Sequence, residues 1–240
     1  MDFKKKVVLI TGASYGIGKE ITLYFAELGC DLIITYNKSQ DLSNNVVSLI
    51  KSQFDVEVTS LKCNISNEDD VNNLFSFVKQ KYNRVDILVN NAALSLDSFW
   101  IDKTKDEFMK VLEVNIVGTF LMMKYFSKIT SFIFNISSTD AIDTGNVYNL
   151  DYSCSKASIN CMTMYLALFD KETKYISICP NWVDTEPIRE MDQDFLKSEL
   201  ERIKQEKLIN PKSIAITIRK CIDNNIPSGS IIRIDKDILE

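Results

Sequence analysis

Histidine does not occur anywhere in the 240 residues. Its absence removes the usual base of Ser-His-Asp and Cys-His catalysis and leaves a zinc ion only cysteine and carboxylate ligands. No metal site is expected. The six cysteines, Cys30, Cys63, Cys154, Cys161, Cys179 and Cys221, include no C-x-x-C pair, and four of them lie in apolar stretches. There a thiol acts as a small hydrophobe, and disulfides are not expected. No long hydrophobic run is present. Val7-Val8-Leu9-Ile10, which follows Lys4-Lys5-Lys6, is too short for a signal peptide or a bilayer span. The expected location is therefore cytoplasmic, with no membrane partner. That lysine triplet is the most basic cluster of a chain whose net charge is −5, so no nucleic-acid role is expected. Proline is scarce too: Pro180, Pro187, Pro211 and Pro227 are the only four, and none interrupts the first 179 residues.

What is present is a rich apolar component, 45% of residues against 25% charged, enough for a large core in one sizeable unit. Short apolar, β-rich runs alternate with longer stretches of helical period. Strands are expected at 6–11, 31–36, 56–63, 85–89, 132–136, 175–179 and 230–234. Helices are expected at 17–28, 41–53, 68–81, 105–128 and 152–169. Strands that are apolar throughout and flanked by helices imply an α/β fold, a parallel sheet covered on both faces. No linker, repeat or low-complexity tract divides the chain, so residues 1–240 are read as a single domain. The charged, proline-bracketed segment 185–210 has no strand partner and reads as an excursion over the site.

Three of the seven glycines fall in Thr11-Gly12-Ala13-Ser14-Tyr15-Gly16-Ile17-Gly18, between the first strand and the first helix. Gly12 allows a tight turn, Gly16 lets the backbone approach an anion, and Gly18 permits close helix–strand packing. The helix N-terminus then aims free N–H groups at a pyrophosphate. The spacing is not the G-x-G-x-x-G pattern. The same residues also fit the G-x-S-x-G nucleophile elbow of hydrolases, but that chemistry lacks its histidine here.

Tyr152 and Lys156 stand four residues apart, on one side of the expected helix. A phenol beside a fixed ammonium is an acid–base group suited to neutral pH. With a nucleotide turn it points to hydride chemistry on a carbonyl or alcohol.

At this point the sequence resembles the short-chain dehydrogenase/reductase family. The resemblance runs through Thr11–Gly18, Asn90-Asn91-Ala92-Ala93, Asn115-Ile116-Val117-Gly118, Asn135-Ile136-Ser137-Ser138, Tyr152-Ser153-Cys154-Ser155-Lys156 and Pro180-Asn181-Trp182-Val183-Asp184-Thr185. Within the family the look is that of 3-oxoacyl-(acyl carrier protein) reductases. It implies a Rossmann-type doubly wound sheet of about seven strands and a tetrad of Asn115, Ser138, Tyr152 and Lys156. Ser137 is the alternative to Ser138, because the interval to Tyr152 is one residue longer than usual.

Under this resemblance Tyr152 gives its proton to the substrate oxygen, and Lys156 lowers the phenol's pKa and holds the ribose. Ser138 donates to the developing alkoxide, and Asn115 holds a water that resupplies protons. Cofactor contacts are expected from Gly12, Ser14, Tyr15, Gly16, Ile17, Gly18, Asn37, Lys38, Ser39, Asn64, Ile65, Asn91, Ala92, Val183 and Thr185, with Tyr152 and Lys156. Asn37, Lys38 and Ser39 end the second strand where an NAD site places an acid, so NADP(H) is preferred and NAD(H) remains possible. Three departures stand out: Ala93 and Asn181 in place of glycine, and Asn64 in place of aspartate.

The expected reaction is reduction of a 3-oxoacyl thioester. Another small ketone or sugar, or a non-catalytic NADP-binding regulator, is the alternative. The wider Tyr–Lys step of the enoyl-reductase branch is not met. Residues 93–101, 139–150 and 183–202 are expected to line the substrate pocket. Arg189, Lys197 and Arg202 are candidates to meet an acyl carrier protein, although a solvated helix face is the plainer reading. A homodimer or homotetramer through the long helices is implied.

Overall fold

A computed structural model describes residues 2–239. The elements follow one another as β1 (Val7–Ile10), α1 (Gly16–Glu27), β2 (Asp31–Tyr36), α2 (Gln40–Gln53), β3 (Val58–Lys62), α3 (Glu68–Lys81) and β4 (Val85–Asn90). Then come α4 (Lys105–Leu112), α5 (Thr119–Phe126), β5 (Thr130–Ile136), α6 (Leu150–Phe169), β6 (Lys174–Pro180), α7 (Glu186–Arg189), α8 (Gln193–Arg202), α9 (Lys212–Asp223) and β7 (Ile231–Ile234). The seven strands form one sheet in the order β3-β2-β1-β4-β5-β6-β7, with every pairing parallel. This is the Rossmann-type doubly wound arrangement.

Both faces of the sheet are covered, which is why its strands are apolar without alternation. In β1, Val8 and Ile10 join the core layer that holds Ile21 and Phe25 of α1 and Ile214 and Ile218 of α9. Val7 and Leu9 point the other way, into the layer that holds Val71 and Val78 of α3 and Met122 and Phe126 of α5. All four β1 side chains are therefore buried.

Helix starts carry their own local signals. Asn67 accepts the N–H of Asp70 to open α3, whose first turn is acidic and last turn basic, matching the macrodipole. Thr104 and Glu107 form a reciprocal capping box at α4.

The helix expected over 105–128 is one path in three parts. Between α4 and α5, Glu113–Gly118 is π-helical. The wider turn carries Asn115, whose side chain is fully buried. Gly118 sits against Ile65, where an added Cβ would lie 2.7 Å from a side-chain carbon.

The excursion expected over 185–210 holds α7 and α8. It is not wholly without a sheet partner. Val183 and Ile209 form an isolated parallel bridge, with Ile209 N donating to Trp182 O at 2.9 Å and Asp184 N to Ile209 O at 2.9 Å. A lone bridge leaves no apolar run to betray it. No described helix is long and apolar enough to cross a membrane.

Candidate active site

The strand order reverses between β1 and β4, and the crevice beyond their carboxyl ends is where an open α/β sheet offers a binding site. Two loops meet there. Thr11 Oγ1 accepts the N–H groups of Asn91 and Ala92, both at 3.0 Å. The Asn91 amide donates to Thr11 O at 3.0 Å and Gly12 O at 2.9 Å. Contact is so close that a Cβ on Gly12 would fall 2.8 Å from Ala92 Cα, and one on Gly18 only 2.4 Å from Gly12 O. Gly12 and Gly16 both have positive φ, 63° and 56°.

Helix α1 begins directly after this turn. Its N-cap, Tyr15, provides no side-chain bond, and its first turn holds no acid. The N–H groups of the first turn, the glycine cradle and the positive end of the helix dipole together fit a diphosphate. Asn37 and Lys38 are exposed at the carboxyl end of β2, where Tyr36 closes the strand. Asn64 follows β3, but its side-chain carbonyl already accepts the N–H and hydroxyl of Ser66, at 3.3 and 3.0 Å.

The chemistry-bearing side chains gather on β5, α6 and the π-helical turn. Lys156 is buried, and its ammonium donates to Ile136 O at 2.7 Å. It lies 5.2 Å from the centroid of the Tyr152 ring, one helical turn earlier on α6. Burial draws the Lys156 pKa down to about 8, opposed by Cys179 and Asp140. Tyr152, partly exposed, moves the other way. Desolvation raises its pKa, and the carboxylates of Asp140 and Asp97 raise it further. The Lys156 ammonium is engaged by the Ile136 carbonyl, and the net direction for the phenol is upward. The phenol is held protonated, which suits an acid.

The two serines divide the work. Ser137 Oγ donates to Lys156 O at 3.0 Å, tying β5 to α6. Ser138 Oγ accepts Asp140 N at 3.1 Å, which leaves its own proton to donate. Asn115 is more committed than the sequence implied. Its carbonyl takes Leu94 N at 2.7 Å, and its amide donates to Leu94 O and to Ser155 Oγ, both at 2.9 Å. Its side chain fixes the loop after β4 to α6. Asn181 stands in place of glycine without a left-handed backbone. Its side chain accepts Thr139 Oγ1 at 3.2 Å. The turn after β6 needs no left-handed residue.

A cavity of about 330 Å³ adjoins these groups, lined by Asp97, Asn146, Tyr148, Asn149, Trp182, Met191 and Phe195. These come from the three segments expected to form the pocket, with Trp182 one residue outside. Tyr148 packs edge-on against Phe195, centroids 5.7 Å apart, and lies 5.6 Å from Phe99. The wall is aromatic. Arg189 and Arg202 are engaged by Asp184 and Glu199, at 2.6 and 2.8 Å.

Three contributors were not visible in the sequence. Ser155 bridges Asn115 and Tyr152 O. Lys103 and Asp151 form a buried ion pair at 2.9 Å, and Asp151 also accepts the N–H of Tyr152 at 2.9 Å. Glu186 reaches Gly16 from 170 residues away. Only the hydroxyl of Ser155, within the Tyr–Lys motif, carried a local signal.

The profile of the short chain dehydrogenase family matches residues 6–196. Among curated relatives, the 3-oxoacyl-[acyl-carrier-protein] reductase FabG of Thermotoga maritima is 30% identical over 247 residues, covering 98% of each chain. The 3-oxoacyl-[acyl-carrier-protein] reductase of Synechocystis is 28% identical over 221 residues, covering 89% of this chain and 87% of its own. A short chain dehydrogenase from Burkholderia cenocepacia, solved in complex with NADP, superposes with a TM-score of 0.88 at 23% identity, covering 98% of both chains. That last likeness is one of fold.

Proposed function

The chain belongs to the short chain dehydrogenase family and is an oxidoreductase, and from that premise we propose that it reduces the 3-oxo group of an acyl thioester with NADPH. The observation that carries this reading is the pairing on α6 of a protonated phenol, Tyr152, with the buried ammonium of Lys156, beside the glycine cradle. The curated relatives named as 3-oxoacyl reductases support the substrate class. The whole chain is taken as one catalytic unit.

A bound reduced nicotinamide supplies the hydride. Gly12, Ser14, Tyr15, Gly16, Ile17 and Gly18 would hold its diphosphate, Asn37, Lys38 and Ser39 the adenosine ribose, and Asn64, Ile65, Asn91 and Ala92 the adenine side. Tyr152 and Lys156 would hold the nicotinamide ribose, with Val183 and Thr185 over the ring. Ser138 donates to the substrate carbonyl oxygen and keeps donating as negative charge grows there. Tyr152 delivers its proton to that oxygen. The resulting phenolate is stabilised by the Lys156 ammonium and regains a proton from solvent. Asn115 keeps the loop after β4 and the start of α6 in register.

Lys38, exposed at the end of β2, supports NADPH over NADH, since no acid stands there to accept from a 2′-hydroxyl. The test is a panel of 3-oxoacyl thioesters, small ketones and sugars, with both cofactors, followed by nicotinamide absorbance. Acetoacetyl thioester with NADPH is expected to give the highest kcat/KM. Absence of turnover across the panel would sink the reading. Lys38→Asp should weaken NADPH about tenfold more than NADH, the worth of one charge-assisted contact. Equal losses would remove the cofactor preference.

A second copy of the chain is proposed to cover the apolar residues left outside. Phe120 of α5 is 48% exposed, and Tyr165, Leu168 and Phe169 of α6 are 59, 61 and 82% exposed. Sedimentation velocity should show a dimer or tetramer, and a monomer at micromolar concentration would refute this. The cell location consistent with the reading is the cytoplasm.

A further inference from the structure

The cradle at the start of α1 is contested by a side chain of the protein itself. Glu186 Oε2 accepts the N–H of Gly16 at 3.1 Å, and its other oxygen lies 3.9 Å from Lys19 Nζ. Both partners belong to the first helical turn after the glycines, where the helix dipole favours negative charge. No residue of that turn provides a carboxylate, and Tyr15 caps nothing. The anion on this helix start comes instead from the opposite end of the chain.

We propose that Glu186 is a competitive occupant of the diphosphate cradle, an affinity-setting residue that the cofactor must expel from the Gly16 N–H in order to bind. The inference rests on the nucleotide reading of the glycine turn and adds to it a specific competitor.

The surroundings suit a group that leaves. Helix α7 has only four residues and none is buried, so moving it disrupts no core packing. Thr185 begins it with its methyl 3.4 Å from where a Cβ on Gly16 would stand, so Thr185 and Glu186 lie over the turn together. Behind them is a cavity of about 490 Å³, lined in part by Tyr15, Lys19, Asn45, Glu186 and Pro187, which gives the side chain somewhere to go. Beyond α7, Met191 and Phe195 line the substrate pocket. Expelling Glu186 removes the contact that ties α7 to the cradle, while the Val183–Ile209 bridge keeps the segment attached to the sheet.

The contact predicts an affinity pattern that needs no turnover. A carboxylate on a helix N-terminus is favourable, so removing its charge releases the cradle. Glu186→Gln should tighten NADP⁺ by about fivefold, the ratio equivalent to a typical helix-dipole contact. Its affinity for 2′-AMP, which reaches the adenosine end and lacks a diphosphate, should not change. Both constants are read by isothermal titration calorimetry on the full chain. The exposed position of Glu186 makes the substitution structurally mild, and 2′-AMP binding reports directly that the site is folded. Unchanged or weaker NADP⁺ binding in Glu186→Gln would overturn the competition, and so would an equal gain for 2′-AMP. If the wild-type chain bound neither ligand, the nucleotide reading would fall and the competition with it. The two failures are thus distinguishable.

Discussion

Tyr152→Phe lowers kcat by about 10²–10⁴-fold, the usual worth of a positioned general acid. The substitution removes one oxygen and keeps the ring that Lys156 underlies at 5.2 Å. Packing and stability are expected to hold, and the glycine cradle and Lys156 are untouched, so NADP⁺ affinity falls only by the one ribose contact, a few-fold against the far larger loss of turnover. The pKa directions make the loss specific. Desolvation, with Asp140 and Asp97 nearby, keeps the phenol protonated, while burial draws Lys156 down to about 8. No other group near the substrate oxygen combines a proton to give with a cation to stabilise what remains. Ser138 can polarise the carbonyl, but a serine hydroxyl is too weak an acid to replace the phenol. Turnover within a few-fold of wild type would refute the assignment, whereas loss of both turnover and NADP⁺ binding would point to a disrupted site.

The second large effect is on stability. Lys103 and Asp151 are 3% and 0% exposed at the side chain and meet at 2.9 Å. Lys103 also donates to Leu96 O. Breaking a buried ion pair from one side leaves an uncompensated charge, so Lys103→Met should cost about 3–5 kcal/mol. Urea unfolding followed by circular dichroism measures this as a lowered midpoint. Asp151 accepts the N–H of Tyr152, so kcat should fall as well, because the start of α6 loses its anchor. Pairing Lys103→Met with Asp151→Asn removes the orphaned charge and keeps an acceptor for that N–H. This double variant should recover much of the stability. A single-variant loss below about 1 kcal/mol would show that the pair does not hold α6 in place.

The sheet was legible because its signal is local. Val7 to Ile10 is a short apolar run, and such runs recur at β2, β4 and β6, while the glycines follow β1 alone of these. The four residues expected as a tetrad each sit in a short motif, and the fold sets Lys156 against the Tyr152 ring and Asn115 against Ser155. What escaped the sequence is non-local. Lys103 and Asp151 are 48 residues apart and belong to no common pattern. Glu186 is one charged residue in a charged segment until the fold lays it on Gly16. The π-helical turn escaped for a different reason. Glu113–Gly118 is mostly poor helix formers, with three β-branched residues, Asn115 and Gly118, but that composition does not by itself announce a π turn, which shows only where Asn115 is held by the Leu94 backbone. The phenol's raised pKa comes first from desolvation and then from Asp140 and Asp97, all set by the tertiary fold, so it could not be read from the Tyr–Lys spacing alone.

The pairing of β1 with β4 also sets a timetable for synthesis. Val8 aligns with Ile87, and Val7 N donates to Asp86 at 2.8 Å across 79 positions. Every adjacent pair in the sheet is parallel, so no hairpin can nucleate it, and this kind of topology folds slowly. During synthesis the glycine loop can bond β2 through Ala13 N and Thr35 O, but its partners Asn91 and Ala92 come only after β4. Until β4 is made, β1 can pair with β2 but leaves its other edge without a partner, the form that chaperones are suited to shield.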